Sequence, residues 1–513
     1  MSFPILTLMM VVPLVGAAVV WLLPSGSTRL ARPVALATSL VTLALALLAW
    51  ARFDTGGSAE RYQLTETHSW IPQFGVSYAL GVDGIALSLI VMAAILTPVC
   101  LLAAWNDLGV DAEPKREKTY FALMLVLLTF MVGVFAARDV FLFYVFFEAM
   151  LIPVYFLIGM FGGPRRQYAA VKFILFSLVG GLIMLVAVIA LYFYGPGGEQ
   201  GFLYESLEGA VGGSTAAQRW MFLGFFIAFA IKAPMWPVHT WLPDAASEAR
   251  PATAVLLVGV LDKVGTFGML RFCLGFFPEA SKWATPLVIT LAVISVIYGA
   301  LLAIGSRDMM RLIAFTSISH FGFIVMGIFA MTSTAGAGSA LYMVNHGFAT
   351  AGLFLIAGFL VARHGSQRIA DYGGWQRVTP VLAGTFLVAG LSSLALPGLS
   401  SYVSEFLVLT GTFQRYPWAA AIGTIGIVLA ALYILLMYQR VFTGPRPVFT
   451  AVAEPRDLGL REKLVVAPIL ASFLLLGFFP KPVLDLVNPA VGKTLELVGV
   501  TDPAPTNASG SAQ

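Results

Sequence analysis

Seven ionisable side chains in this 513-residue sequence stand inside long apolar runs, where a charge is hardest to keep. Glu148 lies eight residues into VFLFYVFFEAMLIPVYFLIGMF, and Lys232 twelve residues beyond Trp220 in WMFLGFFIAFAIKAPMWPVHTWLPDA. Lys263 is central in TAVLLVGVLDKVGTFGMLRF, with Asp262 beside it. His320 and His346 sit near the middle of RLIAFTSISHFGFIVMGIF and ALYMVNHGFATAGLFLIAG. Glu405 follows Pro397 by eight residues in LSSLALPGLSSYVSEFLVLTG, and Lys172 comes a few residues into its own run.

The chemistry these types share is proton exchange. A charge at the centre of a hydrocarbon layer costs at least about 2.5–3.5 kcal/mol, so it is rare without a partner, a wet cavity or a task. Desolvation brings amines and carboxylates towards neutrality, opposite charges push them back, and imidazole ionises near pH 6.5 without help. A row of such groups can pass protons near physiological pH. Lys232 is about 18 Å of helix from Trp220 at 1.5 Å per residue, too deep for easy snorkelling. Pro234 and Pro237 each lack an N–H and clash with the preceding turn, so the helix is expected to break beside the ammonium. An ion pair between Glu148 and Lys232 that opened and closed would change how readily Lys232 gives up its proton. Adjacent helix positions point about 100° apart, so Asp262 is no automatic partner for Lys263. For Lys172, near the end of its run, snorkelling is the rival account.

The elements that position these groups follow from composition. Hydrophobic residues make up 59% of the chain and charged ones 11%, with a mean hydropathy of +0.89. A soluble domain carries about 25% charge, so the expected fold is all-α: a polytopic membrane bundle of fourteen transmembrane helices. Apolar windows place the spans at 3–23, 33–51, 81–105, 119–137, 140–161, 168–194, 217–241, 251–275, 284–304, 309–331, 338–361, 380–413, 417–442 and 464–486. The first is read as a span because it lacks a basic leader region and a small-residue cleavage site. The net charge of +4 resides mostly in short loops, where it sets topology. Lys and Arg are about twice as frequent in the odd-numbered loops, which makes those loops cytoplasmic and places both termini outside. Cys100 and Cys273 lie in apolar runs without metal-ligand spacing, and no phosphate loop, dinucleotide fingerprint or HExxH run occurs. No cofactor and no metal are therefore expected. Asn507-Ala508-Ser509 is a weak glycosylation match, and the chain beyond Leu486 reads as a flexible tail.

A weak internal repeat divides the chain. Ala137-Arg138-Asp139 matches Ser306-Arg307-Asp308 at an offset of 169, and the proline-broken span with Pro234 recurs with Pro397 at an offset of 163. Five spans separate the copies, so they are expected to be inverted, each with a broken helix, the pattern that marks a transport site at the midplane. The resulting division is 1–110 (helices 1–3), 111–280 (first repeat, helices 4–8), 281–445 (second repeat, helices 9–13) and 446–513 (loop, helix 14 and tail).

The stretches GVDGIALSL, FYVFFEAMLIPVYFLIG, YAAVKFILFS, AIKAPMWPVHTWLPDAASEARPATAVLLVGVLDKVGTFGMLR, RDMMRLIAFTSISHFGFIVMGI, NHGFATAGLFLIAG and SSLALPGLSSYVSEF strongly resemble the M-type antiporter-like subunits of respiratory complex I, NADH:quinone oxidoreductase. The resemblance covers most of the chain. It implies a proton-translocating subunit of that enzyme, with no redox centre of its own, driven by quinone reduction elsewhere in the complex. It also implies a bacterial plasma membrane and L-like and N-like antiporter subunits on either side. Glu148 and Lys232 would form the coupling pair, Lys263 the central site, the two histidines a relay and Glu405 the far-side site. Glu405 favours the M type, since related L and N subunits and Mrp sodium/proton antiporters typically place lysine there. Asp262 departs from the family, whose members often carry an apolar residue at that point. A Mrp-type antiporter subunit and a membrane subunit of an energy-converting hydrogenase are the alternatives.

Overall fold

The computed structural model describes residues 3–24, 29–56, 60–107, 114–211, 214–448 and 454–504. In chain order its long helices are α1 (Ile5–Leu22), α2 (Ala31–Arg52), α3 (Gly84–Ala103), α4 (Lys115–Ala136), α5 (Val140–Phe161) and α6 (Arg166–Tyr194). After them come α7 (Thr215–Lys232), α8 (Trp241–Glu248), α9 (Pro251–Phe276), α10 (Pro278–Gly305), α11 (Met309–Ala330) and α12 (Ser333–His364). The last are α13 (Pro380–Ser393), α14 (Ser400–Phe413), α15 (Pro417–Phe442), α16 (Leu460–Phe478) and α17 (Lys481–Val498). The described residues form a helical membrane bundle with one small hairpin.

Helix starts follow local chemistry. Asp83, Asp139, Asp308, Thr332 and Ser214 hold extended backbone and accept a hydrogen bond from an N–H one turn on, which caps α3, α5, α11, α12 and α7. Each cap contributes about 1 kcal/mol. Burial pushes the Asp139 carboxyl up to about 6, against the pull of the Ser77 and Leu142 N–H groups it accepts from. The same bond to Ser77 fastens the hairpin formed by β1 (Gln63–Ile71) and β2 (Val76–Val82), whose tight turn closes at Gly75 with φ +67°. This hairpin, in a stretch that the apolar windows leave unassigned, packs across the starts of α3 and α5.

The helices sort by depth. α9 is buried along its whole length and α3, α11 and α12 nearly so, whereas α6 and α15 lie at the edge. The outer stripe of α6 shows Leu175, Leu182, Val186 and Phe193, a face suited to hydrocarbon rather than water. Asp262 and Lys263 on α9, His320 on α11 and His346 on α12 are all buried on these inner helices.

Among the described residues eleven helices are long and apolar enough to cross a membrane, or twelve if α16 and α17 form one span. Three of the fourteen expected spans are thus not simple helices. The window 217–241 stops at Lys232, because Pro234 has no N–H to continue the ladder, and resumes as α8. The window 380–413 is split into α13 and α14, with Ala395 and Gly398 at positive φ between them. The window 464–486 ends at Phe478 and bends by 68° into α17 at Pro480. The expected tail beyond Leu486 is corrected in part, since α17 runs on to Val498 with its apolar face against the bundle. The boundary drawn at 110/111, the tail's last nine residues and the Asn507 sequon lie outside the described residues.

Three backbone bonds recur at the two breaks. In the first, the N–H groups of Ala233, Met235 and Val238 donate to the carbonyls of Phe229, Ala230 and Met235. In the second, those of Leu394, Leu396 and Leu399 donate to Gly390, Leu391 and Leu396, each 161 residues later. The offset of 163 read from the prolines is therefore displaced by two residues: Pro234 corresponds to Ala395, not to Pro397. The 169 offset at Arg138-Asp139 is matched by backbone pairing. Val140 and Tyr204 bond to Phe202 and Arg138, and Met309 and Ile369 bond to Gln367 and Arg307 in the same way.

Candidate functional site

Lys263 lies on α9, where the backbone is wound as π-helix over Val255–Leu261. π-Turns free carbonyls from the regular ladder and concentrate at functional sites. Here the freed carbonyl of Val258 accepts from Lys263 Nζ at 2.7 Å, and His346 Nδ1 lies at 2.7 Å on the other side. Lys263 is fully buried, so these two partners replace its water.

From there a chain of polar groups crosses the second half of the bundle. His346 touches Thr350 Oγ1 through Nε2 at 3.2 Å and packs against His320, with ring centroids 5.4 Å apart. His320 Nδ1 lies 2.6 Å from the Tyr342 hydroxyl, and its Nε2 lies 3.3 Å from that of Tyr433. The Tyr342 hydroxyl donates to Glu405 Oε2 at 3.3 Å. Lys263, His346, His320 and Glu405 are thus brought together as expected. Tyr342 and Tyr433 complete the chain and were missed: a tyrosine in an apolar run carries no charge to draw notice, and its spacing of four residues from His346 is the one sequence signal for Tyr342.

The other side of Lys263 is different. Lys232 is buried at the very end of α7 and its Nζ has no hydrogen-bond partner among the described residues; it lies over the rings of Phe147 and Phe173 at 5.2 and 5.7 Å. The break that holds it is braced, because Trp241 Nε1 donates to the Ile231 carbonyl and Ser295 Oγ accepts from the Trp236 N–H, each at 2.9 Å. Glu148 Oε1 is also buried without a partner, turned onto the bare backbone of α6 at Gly181. Glu148 and Lys232 form no ion pair in this structure, although each lies within reach of the other's charge. Both Asp262 oxygens are buried and also lack a hydrogen-bond partner among the described residues.

Lys172 does not join this row. Its Nζ donates to Asp244 Oδ2 at 2.7 Å, and Arg311 donates to Oδ1 of the same carboxylate at 2.5 Å. Asp244 was missed because it lies past the expected end of its span. The repeat points to it, since a 161-residue shift from Asp244 lands on Glu405. Towards the loops that hold Glu248 and Arg250, a cavity of about 480 Å³ is lined by Asn106, Asp107, Glu248, Gln367 and Glu462, among others. Burial pushes the Asp107 carboxyl up to about 6 despite Arg250 and Arg461 nearby, so this rim gains and loses a proton near that pH. Among the described residues no cluster of His, Cys, Asp or Glu could hold a metal ion.

Known proteins bear on this arrangement. The profile of the family described as "NADH:quinone oxidoreductase/Mrp antiporter, TM" matches residues 137–430. NADH-quinone oxidoreductase subunit M of Mycobacterium tuberculosis H37Rv is 52% identical, over 98% of this chain and 96% of its own length. A chain of respiratory complex I from Thermus thermophilus superposes with a TM-score of 0.86 at 31% identity, over 96% of this chain and all of that one. A chain of the Mrp complex from Dietzia sp. shares the fold, with a TM-score of 0.83 at 22% identity over 97% and 100% of the two.

Proposed function

Because the chain belongs to the NADH:quinone oxidoreductase/Mrp antiporter transmembrane family, we propose that it is the antiporter-like subunit M of an NADH:quinone oxidoreductase and carries protons across the membrane. The observation that carries this reading is the continuous run of buried polar groups from Lys263 through His346, His320 and Tyr342 to Glu405. Protein interiors seldom keep such groups without a task, and a lysine, two imidazoles, a phenol and a carboxylate in series can each give a proton forward and take one from behind.

In this mechanism the chain itself does no redox chemistry. Quinone reduction elsewhere in the complex draws Glu148 and Lys232 together or apart. With the pair open, Lys232 has no carboxylate bonded to it and passes its proton on towards Lys263. His346 takes that proton over the 2.7 Å contact, the imidazole and phenol pass it on, and Glu405 delivers it to the far side. The helices are arranged as two inverted repeats, 111–280 and 281–445, flanked by 1–110 and 446–513; the matching bonds at the two breaks support that division. The subunit lies in a bacterial plasma membrane between L-like and N-like subunits, with odd-numbered loops in the cytoplasm and both termini outside.

The test is made in the assembled enzyme. Lys232→Ala and Glu148→Gln are expected to lower NADH-driven proton uptake into membrane vesicles at least about tenfold, the scale of lost acid–base groups, with subunit content unchanged. Full pumping by both variants would overturn the reading. Sodium-dependent transport without NADH would favour the Mrp-type alternative instead.

A further inference from the structure

We propose that Asp262 is a proton-carrying carboxylate that joins Lys232 to Lys263, linking the unpartnered side of the path to its hydrogen-bonded side. The inference rests on the proton-carrying reading above and adds a residue to it.

Asp262 is fully buried, and neither of its oxygens bonds a described residue, although a buried carboxylate ordinarily gathers several donors. Its neighbour is turned elsewhere: Lys263 Nζ is held by Val258 and His346, on the α12 side. Asp262 points between α12 and α7: of its two neighbours one turn later, Thr266 donates to Met343 Sδ on α12 at 3.0 Å. Gly265 comes one turn later on the same face of α9, and a Cβ there would stand 2.6 Å from both the Ala233 nitrogen and the Phe229 carbonyl. That face therefore rests on the last turn of α7, where Lys232 ends the helix. Lys232, also lacking a hydrogen bond, and Lys263 are the two cations whose charge reaches Asp262.

Two amines across an apolar gap exchange protons poorly, because no acceptor lies between them. With Asp262 between, the transfer balances in two steps. An N–H bond of the Lys232 ammonium breaks as an O–H bond forms on Asp262. That O–H then breaks as an N–H bond forms on Lys263, once Lys263 has given its own proton to His346. The carboxylate returns to its starting state, and no oxidant, reductant or co-reactant is needed.

The experiment uses the assembled enzyme in native membrane vesicles. Asp262→Asn keeps the shape but cannot accept a proton, and is expected to lower NADH-driven proton uptake at least about fivefold with normal subunit content. Asp262→Glu is expected to retain most of it. A merely structural carboxylate is separated by infrared difference spectra on adding NADH: a protonated-carboxyl band should appear in the native enzyme and shift in Asp262→Glu. Native-level pumping by Asp262→Asn, or no carboxyl band that differs between native and Asp262→Glu, overturns the proposal. Lys263→Met separates the two readings. If it pumps fully, the proton path itself fails; if it stops pumping while Asp262→Asn does not, only Asp262 is wrongly assigned.

Discussion

Helices α4 to α9 and helices α10 to α15 place polar side chains on the same members of each set and share a carboxylate on the broken fourth, but differ in chemistry at the others. On the second member the first set has Glu148 and the second has His320. On the third stand Lys172 and Tyr342, on the distal limb of the broken fourth Asp244 and Glu405, and on the fifth Lys263 and Tyr433. The first set is ionic, and Glu148, Lys232 and Asp262 keep buried polar atoms without hydrogen bonds. The second holds imidazoles and phenols in contact with one another. Isolated charges in a low dielectric act over long distances and respond to any movement of a counter-charge, whereas a chain of hydrogen bonds conducts without net charge having to rest anywhere. The ionic half is suited to sensing a distant event and the neutral half to carrying its product.

The sharpest way to break that contrast is at Tyr342, the donor that joins His320 to Glu405. Tyr342→Phe keeps the ring and removes both bonds. At about 1 kcal/mol for each of two bonds, proton uptake in vesicles should fall by roughly thirtyfold with the enzyme still assembled. Pumping at the native rate would mean that Glu405 is fed by another route and that the second half is no wire.

A smaller effect is expected where the ionic half depends on empty space. A Cβ at Gly181 would stand 1.6 Å from Glu148 Oε1, so Gly181→Ala must push that carboxylate off α6. Those atoms are the free end of a flexible side chain, so the displacement costs little stability. Because the carboxylate has no partner to lose, the expected outcome is a folded enzyme whose proton uptake per NADH oxidised falls by about threefold. An unchanged ratio would show that the position of Glu148 against α6 does not matter to coupling.

How much of this was legible beforehand differs between the halves for the same reason. A charge in an apolar run is conspicuous, so Glu148, Lys232 and Lys263 stand out in the sequence, and Pro234 and Pro237 mark the first break. The chain of imidazoles and phenols is half hidden, because Tyr342 and Tyr433 have apolar rings and their hydroxyls leave no mark on hydropathy. The second break misled in register: it turns on Ala395 and Gly398 at positive φ rather than on its proline, so aligning prolines displaced the copies by two residues. The π-helical winding of α9 could not be read at all, since a helix buried on every side has no stripe whose period could reveal it. The bend after Phe478 had its signal in Pro480 and Pro482, but an apolar window passes over prolines.

Asp244 offers the finest discrimination, because it occupies in the first half the place that Glu405 holds in the second. Their surroundings decide their roles. Asp244 is clamped between Lys172 and Arg311, whose side chains keep 21% and 30% of their exposure, while Glu405 meets a single phenol and is almost wholly buried. A carboxylate held by two partly hydrated cations stays ionised and serves as a strut. Asp244→Asn should therefore leave proton uptake within about twofold of native and lower stability by about 1 kcal/mol once solvent screening is allowed for, a loss that shrinks in high salt. If it abolished pumping in an assembled enzyme, Asp244 would be a proton site in its own right, and the division into an ionic sensor and a neutral wire would give way to two equivalent half-channels.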